Sequence, residues 1–465
     1  MKTKSIFVCQ NCGSERPKWE GQCRDCGAWN SLVEETVAKA PKGARSWTVG
    51  PSSDERLVSQ AIALDSAIEV KNAERWSTGM KELNRVLGGG LVRGSYILLG
   101  GDPGIGKSTL LMQMAGQLAR EDHRVLYVSG EESVEQTALR AQRLGVQTAQ
   151  VKVASDSRLT NILELVASEN PEVLIVDSIQ TIYLDEIASA PGTVSQVREC
   201  AGRLMAVAKS RNIAIFLVGH ITKDGSIAGP KTLEHMVDTV LSFEGDANYQ
   251  FRLLRAQKNR FGPTNELGVF QMNGQGLEEV DNPSEMFLAE RGKSLIGSTV
   301  FAAVEGSRPL LCEVQALTST TYMATPRRTS LGVDVNRVHL LAAVLDKHLD
   351  RDFSRNDVFV NVVGGLRLTE PAADLAIAAA MLSTLSSKPL PANTALFGEI
   401  GLTGEVRAVT FAAERLREAE KLGFQSVILP KNCERSLRSF SVNKSASGSS
   451  AKVNLRFVRH IEELA

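Results

Sequence analysis

The sequence predicts an α/β protein built round a mostly parallel sheet with helices on both faces, and three observations carry that prediction. Short apolar runs alternate with helical stretches between about residues 76 and 275, the pattern of strand–helix–strand units in a buried sheet. One such run, Tyr96-Ile97-Leu98-Leu99, opens into Gly101-Asp102-Pro103-Gly104-Ile105-Gly106-Lys107-Ser108, and residues 109–115 then read as the first turns of a helix. Ahead of the sheet, four cysteines in two C-x2-C pairs mark a small unit of a different kind.

The bounds come from size and charge. At 465 residues the chain exceeds one core and predicts two or three domains. Its formal net charge is zero, so affinity for nucleic acid has to come from local patches. No apolar run is long enough to span a bilayer, and residues 1–9 hold no extended apolar signal region. The expectation is a cytoplasmic protein without a membrane partner, in which thiols stay reduced and paired cysteines suggest metal before disulfide.

The cysteines are Cys9, Cys12, Cys23 and Cys26, with ten residues between the pairs. Two thiolates per knuckle and two knuckles make a tetrahedral zinc site, and four thiolates fill its shell, which predicts a structural Zn2+. Gly13 and Gly27 follow the two pairs and suit a tight turn. Residues 1–32 are the expected zinc finger, too short to hold a core without metal. Residues 33–75 lose regularity and read as a basic linker. Cys200, Cys312 and Cys433 are isolated and read as core.

The expected catalytic unit spans 76–280. Its loop has the form GxxxxGK[ST] between a strand and a helix, where backbone N–H groups and the helix N-terminus cradle phosphates. Gly101 to Ser108 and Thr109 are the nucleotide-binding candidates, with Lys107 on the β- and γ-phosphates of ATP and the Ser108 hydroxyl on Mg2+. Further strands are expected at 125–128, 173–176 and 213–218, and helices at 134–144 and 197–210. Ligands bind at the carboxyl ends of such strands. Asp177 ends the 173–176 run and can hold Mg2+ through water. Glu131 follows another strand and can orient or deprotonate water; adjacent Glu132 is poorly separated from it by sequence. His220 either senses the γ-phosphate or supports a loop.

Thr78-Gly79, the 101–108 loop, Asp177 and Gly219-His220 resemble the RecA-type ATPase core. Lys258-Asn259-Arg260-Phe261-Gly262, together with the four-cysteine finger, resembles more particularly the bacterial DNA-repair family RadA, also called Sms. The resemblance spans essentially the whole chain. It implies that Glu131 is the catalytic glutamate and that the subunits form a homo-hexameric ring around DNA. It also implies that Lys258 and Arg260 reach the phosphates of a neighbouring subunit, as a cation in trans stabilises a transferring phosphoryl group. Two loops, 184–195 and 222–231, would line the hole, with Lys223 and Lys231 as backbone-contact candidates.

A third unit is expected over 285–465, α+β in pattern, with strands at 297–302 and 358–362 and helices at 336–349 and 372–385. Residues 397–406 and 427–432 resemble the proteolytic domain of Lon. On that match the nucleophilic serine position holds Ala372 and the lysine position Ala413, so the serine–lysine mechanism is absent. The domain is then a scaffold, and Arg327, Arg328 and Arg337, with the basic run from Lys431 to Arg459, are candidates for duplex contact. The resemblance implies a DNA-dependent ATPase of homologous recombination that processes single-stranded and branched DNA, by branch migration, together with the RecA recombinase. The competing class, an ATP-dependent protease, is disfavoured by the missing dyad.

Overall fold

The computed structural model describes residues 4–9, 13–37, 75–221, 227–228, 232–245, 251–264, 266–288, 295–323, 325–437 and 453–464. The chain divides into two compact units, Met1–Glu279 and Val280–Ala465.

The first unit opens with a small antiparallel sheet of β1 (Lys4–Cys9), β2 (Glu15–Arg16) and β3 (Leu32–Val37), with β1 in the middle. After it come α1 (Lys81–Leu87), β4 (Tyr96–Gly101), α2 (Lys107–Arg120), β5 (Val125–Ser129), α3 (Val134–Arg143), β6 (Val151–Ser155), α4 (Leu159–Glu169) and β7 (Val173–Asp177). The unit continues with α5 (Val194–Arg211), β8 (Ala214–Ile221), α6 (Thr232–Met236), β9 (Thr239–Glu244), β10 (Phe251–Asn259), β11 (Leu267–Asn273) and β12 (Gly276–Glu279). The large sheet runs β12-β11-β10-β9-β4-β8-β7-β5-β6. From β9 through β4, β8, β7 and β5 to β6 every pairing is parallel. The β10, β11 and β12 pairings are antiparallel.

The parallel strands are apolar throughout because both faces are covered. Ile97, Leu99, Tyr127 and Ile175 pack with Leu110, Leu111 and Met114 of α2 on one face. Their alternates Leu98, Leu126, Val128 and Val176 pack with Ile162 of α4 and Leu204 of α5 on the other. Successive side chains of a strand point to opposite faces, so one uninterrupted run feeds two cores.

Three features differ from the sequence expectation. β6 was not expected, because VKVAS is an edge strand of mixed exposure without a full apolar run. The antiparallel strands between 251 and 279 were not separated either, since their charged residues break the pattern that marks a buried strand. The loop after Asp177 ends earlier than expected: Thr193 is the extended N-cap and α5 begins at Val194.

The second unit holds α7 (Pro283–Leu288), β13 (Ser298–Glu305), β14 (Arg308–Thr320), β15 (Arg328–Leu331), α8 (Val335–Leu349), β16 (Asn356–Val362), α9 (Asp374–Ser386) and β17 (Thr394–Leu396). It closes with α10 (Ala412–Lys421), β18 (Ser426–Pro430) and β19 (Asn454–Val458). The sheet order is β15-β16-β14-β13-β17-β18-β19, parallel at both ends and antiparallel where β14 pairs β13 and β16. Ala372 lies in a 3-10 turn, Pro371–Ala373, ahead of α9, rather than in the helix, and is buried. Among the described residues no helix is long and apolar enough to cross a membrane.

Candidate nucleotide and metal sites

Parallel register brings the nucleotide candidates together. Ser129 pairs with Asp177, so β5 and β7 end side by side, and the Gly130 N–H donates to the Asp177 carbonyl at 2.8 Å. Gly101 pairs with His220, so β4 and β8 end at the same level. The loop from β4 to α2 therefore sits at the carboxyl edge, among the residues that follow those strands. Gly104 has φ +77° with nothing within 4 Å of a built Cβ, so the cradle is open there. Gly106, at φ +117°, caps α2 in the left-handed region that other residues rarely adopt.

Lys107 is buried, and its Nζ donates to the carbonyls of Gly101 at 2.8 Å and Asp102 at 2.9 Å. Burial lowers its pKa, against the opposing pull of the Asp177, Asp102 and Glu131 carboxylates. The amine thus closes the loop on itself and faces three acids. Tyr127, which the sequence reading missed, donates from its buried hydroxyl to Asp177 Oδ2 at 2.5 Å. Burial, then the Asp177 charge, raises the tyrosine pKa well above its ordinary value, so it stays a donor. The phenol thus holds the Asp177 carboxylate at the end of β7.

The two adjacent glutamates have separate partners. Glu132 is ion-paired with Arg140 of α3. Glu131 accepts a hydrogen bond from Ser178 Oγ at 2.5 Å, beside Asp177. Ser129 Oγ accepts from both backbone N–H groups, at 3.3 and 2.9 Å, and shapes the turn that carries them.

Lys258 and Arg260 do not meet the phosphate loop of their own chain in any described contact. Lys258 Nζ donates to the carbonyls of Glu234 at 2.6 Å and Val237 at 2.8 Å, at the end of α6. Burial, reinforced by neighbouring Arg260, lowers its pKa. Arg260 is more exposed and reaches Asp238 Oδ1 at 3.4 Å. Asp238 is buried and also accepts from Lys209 Nζ at 2.5 Å and the Tyr96 N–H at 3.0 Å. This carboxylate anchors the turn between α6 and β9, a role invisible to sequence because its partners are 22 to 142 residues away. The 184–193 loop is gathered by buried Gln196, whose amide nitrogen donates to the carbonyls of Leu184, Ile187 and Ser189. Lys223 and Lys231 lie outside the described residues, as does the His220 side chain.

The finger is built from two equivalent turns. The Gly13 N–H donates to the Cys9 carbonyl at 2.8 Å, and the Gly27 N–H to the Cys23 carbonyl at 2.8 Å, with glycine φ of +74° and +73°. The Cys9, Cys23 and Cys26 sulfurs lie within 4.8 Å of one another, and Cys9 Sγ to Cys26 Sγ is 3.7 Å. Tetrahedral zinc with Zn–S bonds of about 2.3 Å separates sulfurs by about 3.8 Å, so these thiols fit the ion. Cys12 lies outside the described residues. Isolated Cys200, Cys312 and Cys433 are buried, and burial pushes the Cys200 thiol up to about 12.

The basic candidates of the second unit divide. Arg328 is tied to the carbonyls of Arg327, Asn356 and Phe353, at 3.1, 2.5 and 2.6 Å. Arg337 is ion-paired with buried Asp374. Arg327 is exposed. Two of the three guanidiniums therefore have structural partners, and Arg327 is the most open of them. Ala413 lies in α10 and, like Ala372, carries no group for covalent chemistry.

Comparison with known proteins finds three family models along the chain. Residues 67–226 match the family model of an AAA domain, 7–34 a rubredoxin metal binding domain, and 329–465 the C-terminal proteolytic domain of Lon protease. A solved KaiC-like protein from Pyrococcus horikoshii is 20% identical, with a TM-score of 0.38, over 45% of this chain and 99% of that one. DNA repair protein RadA of Bacillus subtilis is 52% identical over 92% of this chain and 93% of its own length. RadA of Pseudomonas aeruginosa is 50% identical over 92% and 93%. RadA of Escherichia coli is 46% identical over 95% and 96%. Identity of that order along nearly the full length of both partners places the chain in the RadA family of DNA repair proteins.

Proposed function

We propose that this chain is a DNA-dependent ATP hydrolase that works as a ring-shaped homo-hexamer on single-stranded and branched recombination intermediates, in concert with a RecA-type recombinase. One observation carries the catalytic part: Lys107 feels the carboxylates of Asp177 and Glu131 at the edge where β4, β8, β7 and β5 end in parallel. Lys107 would exchange its two carbonyl acceptors for β- and γ-phosphate oxygens. Ser108 and Asp177 would hold Mg2+, which supplies charge neutralisation on the phosphates. Glu131 would leave the Ser178 hydroxyl to orient the attacking water.

Family membership supports DNA as the partner. The trans role falls more naturally to Arg260 than to Lys258. Arg260 holds one long, half-exposed ion pair that a neighbour's phosphate can outcompete. Lys258, in β10, holds carbonyls at the end of α6 and would couple that helix to the segment bearing Arg260. Hydrolysis of peptides is not part of the proposal, since Ala372 and Ala413 provide neither nucleophile nor base.

The test is the ATPase rate and native mass of purified protein with and without single-stranded DNA, for wild type and Lys107→Ala. The expected outcome is DNA-stimulated turnover by a hexamer, reduced to background in the variant. Near wild-type hydrolysis by Lys107→Ala would remove the phosphate-loop assignment. A DNA-independent rate would leave an ATPase with a different partner.

A further inference from the structure

A second cluster of metal-ligating side chains lies in the Lon-like unit, far along the chain from the finger. His348, His460 and Glu462 each offer a ligand atom within 4.8 Å of the other two. They come from separate segments. His348 is in the last turn of α8, while His460 and Glu462 follow β19.

The backbone around them is well tied. The Val406 N–H donates to the Arg459 carbonyl at 2.7 Å, and the Ile461 N–H to the Gly404 carbonyl at 2.8 Å. The turn carrying residues 402–404 therefore lies directly against the two rings. A Cβ on Gly404, at φ +81°, would stand 2.5 Å from His460 Nε2 and 3.2 Å from His348 Cδ2, so only glycine admits this approach.

The hydrogen bonds have the pattern of a metal-ligating pair. His460 Nε2 lies 2.9 Å from the Thr403 carbonyl, and His348 Nε2 lies 3.4 Å from the Leu402 carbonyl. An imidazole that donates one N–H to a backbone carbonyl is fixed in the tautomer whose other nitrogen carries a lone pair. His460 Nδ1 then carries the lone pair; it accepts a long hydrogen bond from the Glu462 N–H at 3.4 Å, which a metal ion would displace, and is 3.5 Å from Glu462 Oε2. The rings meet edge to face with centroids 5.2 Å apart. Ligands on a tetrahedral ion with bonds of about 2.0–2.1 Å stand about 3.4 Å apart, within reach of small side-chain rotations from this arrangement.

We propose that His348, His460 and Glu462 form a second divalent-metal site, of the two-imidazole, one-carboxylate kind that zinc takes. It would clip the 459–464 segment to the end of α8 and the 402–404 turn. Three protein ligands leave a fourth position for water. With no thiolate, the site is spectroscopically distinct from the finger.

The test uses the full chain with the finger filled by zinc, titrated with Co2+ and followed by electronic absorption. Cobalt in the finger gives intense sulfur-to-metal charge transfer, whereas cobalt on nitrogen and oxygen gives only weak visible bands. The expected result is one further equivalent with visible bands and no charge transfer, retained in Cys26→Ser. His348→Ala and His460→Ala should each weaken it by about tenfold or more, and Glu462→Gln should do so with the least change to packing. Absence of the extra equivalent in wild type, or unchanged affinity in both histidine variants, overturns the site.

Discussion

At the scale of single residues, the chemistry of the nucleotide site depends on groups that hold the expected ones in place. Tyr127 tethers Asp177 through its hydroxyl. Tyr127→Phe keeps the ring in its core and deletes only that link. A hydrogen bond to a charged group contributes about 1.5–3 kcal/mol, so the half-saturating Mg2+ for hydrolysis should rise by about tenfold or more. Nucleotide binding without metal should be unchanged. A magnesium titration of the ATPase rate, beside metal-free nucleotide affinity, checks both. Equal magnesium dependence in variant and wild type would show that the carboxylate needs no such tether.

At the scale of elements, local structure is stabilised by long-range partners. The two Cys–Gly knuckles can form from local hydrogen bonds, but a finger whose described core is Cys9, Cys23 and Leu32 with Phe7 against them is too small to stand alone. Cys26→Ser replaces a soft thiolate by a hard oxygen, and the finger should lose its zinc. Elemental analysis should read about one zinc fewer per chain than in wild type. The N-terminus of α9 presents the converse case. Asp374 is buried there, accepting from Arg337 Nε at 2.6 Å and the Ile400 N–H at 3.0 Å. Burial raises its pKa while Arg337 opposes the rise. Arg337→Ala would strand the carboxylate, and removing one member of such a pair costs about 3–5 kcal/mol. Urea unfolding should show the second unit melting at clearly lower denaturant. An unchanged midpoint would mean that Asp374 takes a proton or water at little cost.

At the scale of the whole molecule, the proposed ring makes a prediction that no single chain can satisfy. Lys107→Ala and Arg260→Ala should each be inactive, the first through its own phosphate loop and the second through its neighbour's. In mixed rings some interfaces pair an intact loop with an intact neighbouring arginine, and partial DNA-stimulated turnover should return. A trans cation can be worth about a thousandfold in rate, so even a minority of intact interfaces is measurable. If mixed rings confirmed by native mass spectrometry show no recovery, Arg260 acts within its own chain, where Asp238 already holds it.

The phosphate loop, the cysteine pairs and the alternation of apolar runs were legible in the sequence because each is a local pattern. A glycine must be written where the backbone turns left-handed, and a C-x2-C must be written where two thiolates share a knuckle. The family resemblance was legible for the same reason, in short motifs kept in order. The tertiary structure alone decided which acid of the Glu131–Glu132 pair faces Asp177, since Ser178 and Arg140 sort them across strand ends. It alone gave Arg328 and Arg337 structural partners, because those carbonyl and carboxylate groups lie up to 63 residues away. It alone brought His348 to His460 across 112 positions, since 460 − 348 = 112. Local sequence specifies backbone conformation and residue type, whereas a charge or an imidazole acquires its role from whichever distant group the packed sheet places against it.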